Sequence, residues 1–146
     1  MYSGKTSIYR VKNPLKYKGC LTNVVSRSTW ERRFMVWADN SPSVLEWGSE
    51  ETVIPYVNEI DNQYHRYFVD FFIKVKDKEG NVVKYLIEIK PEKFTMPPQK
   101  PKRQTKAYLS EVVQYVTNES KWKAARKYCE ERGMKFLILN EKHLGM

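Results

Sequence analysis

Two runs of alternating apolar and polar residues, joined by a charged turn, predict a β-hairpin in the middle of the chain. The first run covers residues 67–75 and contains Asp70, and the second covers residues 83–90 and contains Glu88 and Lys90. Successive side chains of a strand point to opposite faces of the sheet. Glu88 and Lys90 are therefore expected to share one face, and Asp70 is expected to point away from the apolar stripe of its own strand.

The turn between the two runs sets which residues face one another. Residues 77–81 suit a three-residue loop with Gly80 at the position that needs a positive φ. In that register Asp70 lies opposite Glu88, where two carboxylates repel by a few tenths to about 1 kcal/mol. A cation between them would relieve this repulsion, whereas a register slip of one residue would move Glu88 off the Asp70 face.

A helix is predicted before the hairpin, over residues 26–39. Trp30, Phe34 and Trp37 recur at helical spacing, and Ser28 followed by Glu31 matches a capping box. Two interpretations of Glu31 stay open. It caps the helix, or it leans over the edge of the core as a further acid beside Asp70.

The remaining patterns predict a mixed sheet with helices around it. Residues 44–47 and 52–57 suggest a short hairpin, and the apolar run 134–139 is typical of a buried strand. After the central hairpin two helices are predicted, one over residues 104–116 and a second that begins at Asn118 or Thr117 and ends at Gly133. This order indicates a single α/β or α+β domain with a central mixed sheet flanked by helices.

Charge favours a polyanionic partner. The chain has 146 residues, a net charge of +9 and a pI near 9.5, which suits nucleic acid. No apolar run approaches the length of a membrane span, so no membrane partner is expected. Two cysteines and two histidines are too few for a disulfide framework or a zinc site.

Two basic segments are candidates for contact with DNA. A proline-rich connector follows Lys90 and carries Lys100, Lys102 and Arg103, which would bind phosphates or simply form a solvated linker. A basic arm with tyrosines covers residues 1–22, and it would contact nucleic acid or form an ordinary solvated extension.

The paired carboxylates suggest a hydrolytic metal site. Asp70 and Glu88 can hold a hard divalent ion such as Mg²⁺, or Mn²⁺ in its place, which also accepts phosphate oxygens. Lys90 on the same face can orient or help deprotonate an attacking water. The implied reaction is hydrolysis of a phosphodiester bond.

Asp70 together with Glu88-Ile89-Lys90 resembles the core motif of the PD-(D/E)xK nuclease superfamily, although Val69 stands where the motif has its nominal proline. Residues 64–93 look like the endonuclease subunits of heteromeric bacterial transposases. Almost the whole chain is similar to the head-completion nucleases of T-even bacteriophages.

The resemblance implies further details. It implies a restriction-endonuclease-like domain with an αβββαβ core over residues 23–146, after the arm. It raises the case for Glu31 as a metal-binding acid, and it points to Gln104, with Gln114 as a rival, as a DNA-contacting glutamine of the helix after Lys90. The catalytic set would be Asp70, Glu88, Lys90 and Glu31.

The function implied by the resemblance is a metal-dependent DNA endonuclease, with exonuclease activity as a further mode. It would process packaged double-stranded DNA during phage head completion and head-tail joining. Its partners would be phage head or neck proteins, in the host cytoplasm during assembly or in the virion. The alternatives are a structural head-completion protein that uses the scaffold without cleavage, and a basic nucleic-acid-binding module.

Overall fold

The computed structural model describes residues 6–145, so Tyr2 and Lys5 of the basic arm lie outside the described part of the chain. The described residues form two α-helices, α1 (Thr29–Asn40) and α2 (Lys106–Glu131). Short 3-10 helices cover Pro14–Lys16 and Glu92–Thr95. The strands are β1 (Ser7–Ile8), β2 (Val25–Ser26), β3 (Val44–Ser49), β4 (Val53–Asn58), β5 (Gln63–Phe68), β6 (Phe71–Lys76), β7 (Val82–Ile89) and β8 (Lys135–Leu139).

The central sheet has four strands in the order β3-β6-β7-β8. The first three are antiparallel, and β8 runs parallel to β7. One face of this sheet packs against α1, around Phe34 and Met35, and the other packs against α2, around Trp122 and Ala125. The order α1, β3, β6, β7, α2, β8 is the predicted αβββαβ core with a mixed sheet, which confirms the predicted fold class.

The central hairpin has the predicted register. Phe71 pairs with Ile87 across β6 and β7. Asp70 lies one residue before this pairing begins, beside Glu88, and its Oδ2 accepts from the N–H of Ile89. The backbone N–H of Asp77 donates to the carbonyl of Asn81 at 2.8 Å, so these residues close the loop. Gly80 has a φ of +87°, the conformation that the turn requires of its glycine.

The first predicted strand of the hairpin is interrupted at Asp70, which is a correction. Residues 63–68 form β5, which pairs with β4, and only from Phe71 does the chain join the central sheet. At the break, the N–H of Val69 donates to the carbonyl of Thr52, and the N–H of Glu50 donates to the carbonyl of Asp70. Asp70 therefore lies where the chain crosses from one sheet to another.

The predicted pairing of residues 44–47 with residues 52–57 is wrong. β3 pairs with β6 instead, and β4 forms a separate two-stranded ribbon with β5. Glu50, with a φ of +56°, turns the chain out of the central sheet after β3. The inner face of the ribbon then packs against α2 through Ile54 and Tyr56.

Two expectations about the helices are also wrong. The second half of the chain holds one continuous helix, α2, rather than two helices. Asn118 Oδ1 accepts from Gln114 Nε2 at 3.0 Å within this helix, so it does not cap a new one. In α1, Trp37 is 48% exposed, and Met35 and Ala38 are buried in its place.

The described part of the arm packs on the α1 face of the sheet. β1 pairs with β2, and Tyr9 and Tyr17 are buried beside Trp47, so neither tyrosine is available to stack on bases. The boundary of the arm at residue 22 stays a prediction. Within residues 6–145, no helix has the combination of length and apolar character that crossing a bilayer requires.

Candidate active site

Glu88 is a buried carboxylate near the end of β7, on the sheet face that packs against α2. The hydroxyl of Tyr67 donates to Glu88 Oε2 at 2.5 Å, and Trp122 Nε1 donates to the same oxygen at 3.0 Å. Burial, followed by the charge of Glu88, raises the pKa of Tyr67, so this hydroxyl is a donor at neutral pH. The two donors fix the orientation of the Glu88 carboxylate.

Asp70 lies directly beside Glu88. Its Oδ2 accepts from the backbone N–H of Ile89 at 2.8 Å, and the Glu88 carboxylate is the charge that acts most strongly on it. Burial first, and then the charges of Glu88 and Glu31, raise the pKa of Asp70 well above its usual range. Two neighbouring carboxylates repel each other when both are charged, so this pair favours binding of a positive species.

Glu31 both caps α1 and stands near the acid pair. Its N–H donates to Ser28 Oγ at 3.1 Å, and its Oε1 accepts from the N–H of Arg27 at 3.2 Å. The predicted capping interaction is present, although the Glu31 carboxylate accepts from the N–H of Arg27 instead of the N–H of Ser28. Burial raises the pKa of Glu31, and the charges of Glu50 and Glu88 add to this.

Lys90 follows the last residue of β7, and its N–H donates to the carbonyl of Leu139 in β8 at 2.9 Å. Its side chain is partly buried. Strand alternation places it on the same face as Glu88.

The donor set fits a magnesium ion that keeps part of its water shell. Within residues 6–145, no group of three or more Asp, Glu, His or Cys side chains stands close enough to hold a metal ion. The role of Glu31 as a metal-binding acid stays a prediction. Mg²⁺ is commonly held by one or two carboxylates together with waters and substrate phosphates, and Asp70 and Glu88 supply two.

The predicted DNA-contacting residues follow Lys90 in the sequence, in the connector and in α2. Lys100, Lys102, Arg103 and Gln104 are exposed in the coil before α2. Gln114 is exposed on α2 and lines a cleft of about 630 Å³ between α2 and the connector. Their roles stay predictions.

Several residues of this site escaped the sequence analysis. Tyr67 and Trp122 orient Glu88, and Arg27 forms an ion pair with Glu50 beside Glu31. Tyr67 lies just before the point where the chain changes sheets. Its position could have indicated a role in the site only if the break at Asp70 had been predicted. Trp122 is remote in sequence and has the spacing of an ordinary core residue of α2.

A family model described as TnsA-like endonuclease N terminal matches residues 41–141. This range runs from just before β3 to just after β8 and contains Asp70, Glu88 and Lys90. The chain belongs to the TnsA-like endonuclease family. Glu31 lies before the matched residues.

One relative of this TnsA-like chain extends the likeness to the N-terminal segment. The protein named head completion nuclease of Enterobacteria phage T4 is 42% identical over 144 residues, which cover 96% of this chain and 91% of the phage T4 protein. Both predicted relations, to transposase endonucleases and to phage head-completion nucleases, are confirmed.

Proposed function

We propose that this TnsA-like endonuclease is a Mg²⁺-dependent DNA nuclease that acts in phage head completion. The family and the phage T4 relative support a nuclease function in that process. The observation that carries the assignment to particular residues is the placement of the Asp70 carboxylate beside Glu88 at the crossing point of the chain, where Asp70 Oδ2 accepts from the N–H of Ile89, the residue after Glu88. A purely structural site has no physical reason to keep this repulsion.

Each residue has a separate task in the proposed reaction. Asp70 and Glu88 hold the ion, and Tyr67 and Trp122 keep Glu88 in one orientation. The ion would polarise the scissile phosphate and stabilise the charge that develops on it. Lys90 orients the attacking water, and Glu31 acts as an outer acid next to the pair.

The proposed substrate is double-stranded DNA, and the proposed partners are phage head or neck proteins in the infected cell. A net charge of +9 supports binding to a polyanion. The exposed cations of the connector, Lys100, Lys102 and Arg103, follow the site directly and would hold the DNA backbone. Exonucleolytic trimming would use the same residues at a DNA end.

Cleavage of duplex DNA by the purified protein tests this function. We expect cutting with Mg²⁺ and none with EDTA. Asp70→Asn and Lys90→Ala should each lower the rate by about 10³-fold or more, a loss of about 4 kcal/mol of transition-state stabilisation. Lys84→Ala is a matched control, because Lys84 is an exposed lysine of the same strand, and it should cut normally.

Two results would separate the alternatives. Wild-type protein that binds DNA in a salt-sensitive way but never cuts would support a binding or structural protein built on a nuclease scaffold. Cutting that survives in both Asp70→Asn and Lys90→Ala would place the nuclease site elsewhere in the molecule.

A further inference from the structure

An ion pair between Arg27 and Glu50 stands beside the acid pair and has no part in the chemistry described above. Arg27 Nε donates to Glu50 Oε1 at 2.9 Å, and a second guanidinium nitrogen donates to Glu50 Oε2 at 3.1 Å. This two-pronged geometry is the one that a guanidinium uses for carboxylates and for phosphates alike. The Arg27 side chain is 56% exposed, so a ligand arriving from solvent can reach it.

The backbones of both partners are tied to the site acids. The N–H of Arg27 donates to Glu31 Oε1 at 3.2 Å, and the N–H of Glu50 donates to the carbonyl of Asp70 at 3.0 Å. The backbone of Glu50 also adopts a φ of +56°, a conformation that residues other than glycine rarely adopt. The fold therefore holds the two charged groups in place next to Glu31 and Asp70.

Arg27 faces an excess of negative charge. It interacts electrostatically with Glu50 first, and also with Glu31 and Asp70. A DNA phosphate that approaches the same acids is repelled unless a cation meets it. A metal ion held by Asp70 and Glu88 would offset part of that negative charge and weaken the hold of the acids on Arg27.

We propose that Arg27 binds a phosphate of the DNA next to the cleaved bond, and that the ion pair with Glu50 holds the Arg27 guanidinium in position until the DNA binds. This inference rests on the proposed nuclease function. The guanidinium exchanges two bonds to the Glu50 carboxylate for two bonds to phosphate oxygens, and Glu50 becomes free. Arg27 is thus a phosphate-binding residue, and Glu50 is a positioning residue that competes with the substrate.

Substitutions of the two partners of this ion pair should then have different effects on DNA binding. We would measure affinity for a short duplex with Mg²⁺ in a Lys90→Ala background, so that the DNA stays intact. Arg27→Gln should weaken binding about tenfold and lower the slope of log affinity against log salt by about 1. Glu50→Gln should leave the affinity unchanged or raise it.

Two further variants keep the test decisive. Arg33→Gln removes one positive charge from an exposed arginine of α1 that donates to the carbonyl of Leu144, and it should change the affinity less than threefold. Arg27→Lys keeps the positive charge but cannot donate two parallel hydrogen bonds. It should therefore keep the salt dependence of the affinity while binding the duplex more weakly. If Arg27→Gln does not fold in a thermal melt, Arg27→Lys carries the comparison with Glu50→Gln.

Equal weakening by Arg27→Gln and Glu50→Gln would overturn the proposal, since the ion pair would then act only as a structural tie. An Arg27→Gln affinity equal to that of Arg33→Gln would overturn it as well. Failure of the nuclease function is a separate result, because it appears as an absence of Mg²⁺-dependent cutting by the protein with Lys90 intact.

Discussion

The carboxylates of Asp39 and Asp70 have opposite surroundings: hydrogen-bond donors surround the first, and acidic side chains lie beside the second. Asp39, near the end of α1, is fully buried and accepts hydrogen bonds from the hydroxyl of Tyr9 at 2.7 Å and from the backbones of Lys12 and Asn13 at 2.7 and 3.1 Å. Burial alone would raise the pKa of Asp39, but these donors outweigh it and hold the pKa below its usual range.

Among residues 6–145, Asp70 has no such set of donors. Its neighbours are the N–H of Ile89 and the carboxylates of Glu88 and Glu31, and its pKa is raised. The fold therefore satisfies one aspartate completely, to fasten the N-terminal segment to α1. It leaves the other with two acidic neighbours and one backbone donor, which supports the proposed role of Asp70 in binding a metal ion.

Removal of each carboxylate tests this contrast, and the largest expected effect is at Asp39. Asp39→Ala leaves three donors without an acceptor and should lower the free energy of unfolding by about 3 kcal/mol or more. Asp70→Ala should cost less than about 1 kcal/mol in EDTA, because it also removes a repulsion. Denaturant titration measures both, and equal losses would contradict the distinction.

The donors to Glu88 provide a second test. Tyr67→Phe removes the hydroxyl that orients the carboxylate, and partners of this kind are worth about 10- to 100-fold in metal affinity or activity. Tyr17→Phe is the matched control, because it removes a buried hydroxyl on the α1 face that accepts from the N–H of Ser49. Mg²⁺ titration of DNA cleavage measures both, and equal behaviour of the two variants would exclude an orienting role for Tyr67.

The smallest expected effect is on the pH dependence of stability. The raised pKa of Asp70 means that metal-free protein loses stability as the pH rises from the unfolded value, near 4, through the raised value. The lowered pKa of Asp39 has the opposite sign, so that its stabilisation is lost as the pH falls.

Asp70→Asn should abolish the loss of stability that Asp70 causes as the pH rises. At pH 7 it should stabilise the metal-free protein by a few tenths to about 1 kcal/mol, and the gain should disappear toward pH 4. Urea titrations in EDTA across this range would show it. A gain that is constant with pH, or a loss at pH 7, would mean that Asp70 is not strained by its neighbours.

The sequence was most informative where short-range physics decides the structure. The turn around Gly80 set the register of β6 against β7, and Ser28 set the start of α1. It failed where tertiary contacts override local pattern, because the alternation continues through Asp70 although the chain changes sheets there. The single helix α2 was missed for a similar reason, since Asn118 lies buried in the helix interior and its Oδ1 accepts from Gln114 instead of capping a new helix.

The same division holds for the site. Asp70, Glu88 and Lys90 lie in one hairpin or directly after it, so alternation and turn geometry are enough to place them near one another. Trp122 comes from a helix that packs on the sheet from a distant part of the sequence. Arg27 and Glu50 meet only because the chain turns away from β3, which no local pattern predicts.

A crystal of the protein soaked in Mn²⁺ tests the central claim most directly, because the anomalous signal locates the ion without relying on activity. The account predicts a peak in contact with carboxylate oxygens of both Asp70 and Glu88, and its loss in crystals of Asp70→Asn. A fully loaded crystal with manganese only elsewhere, and none in contact with Asp70 or Glu88, would contradict it.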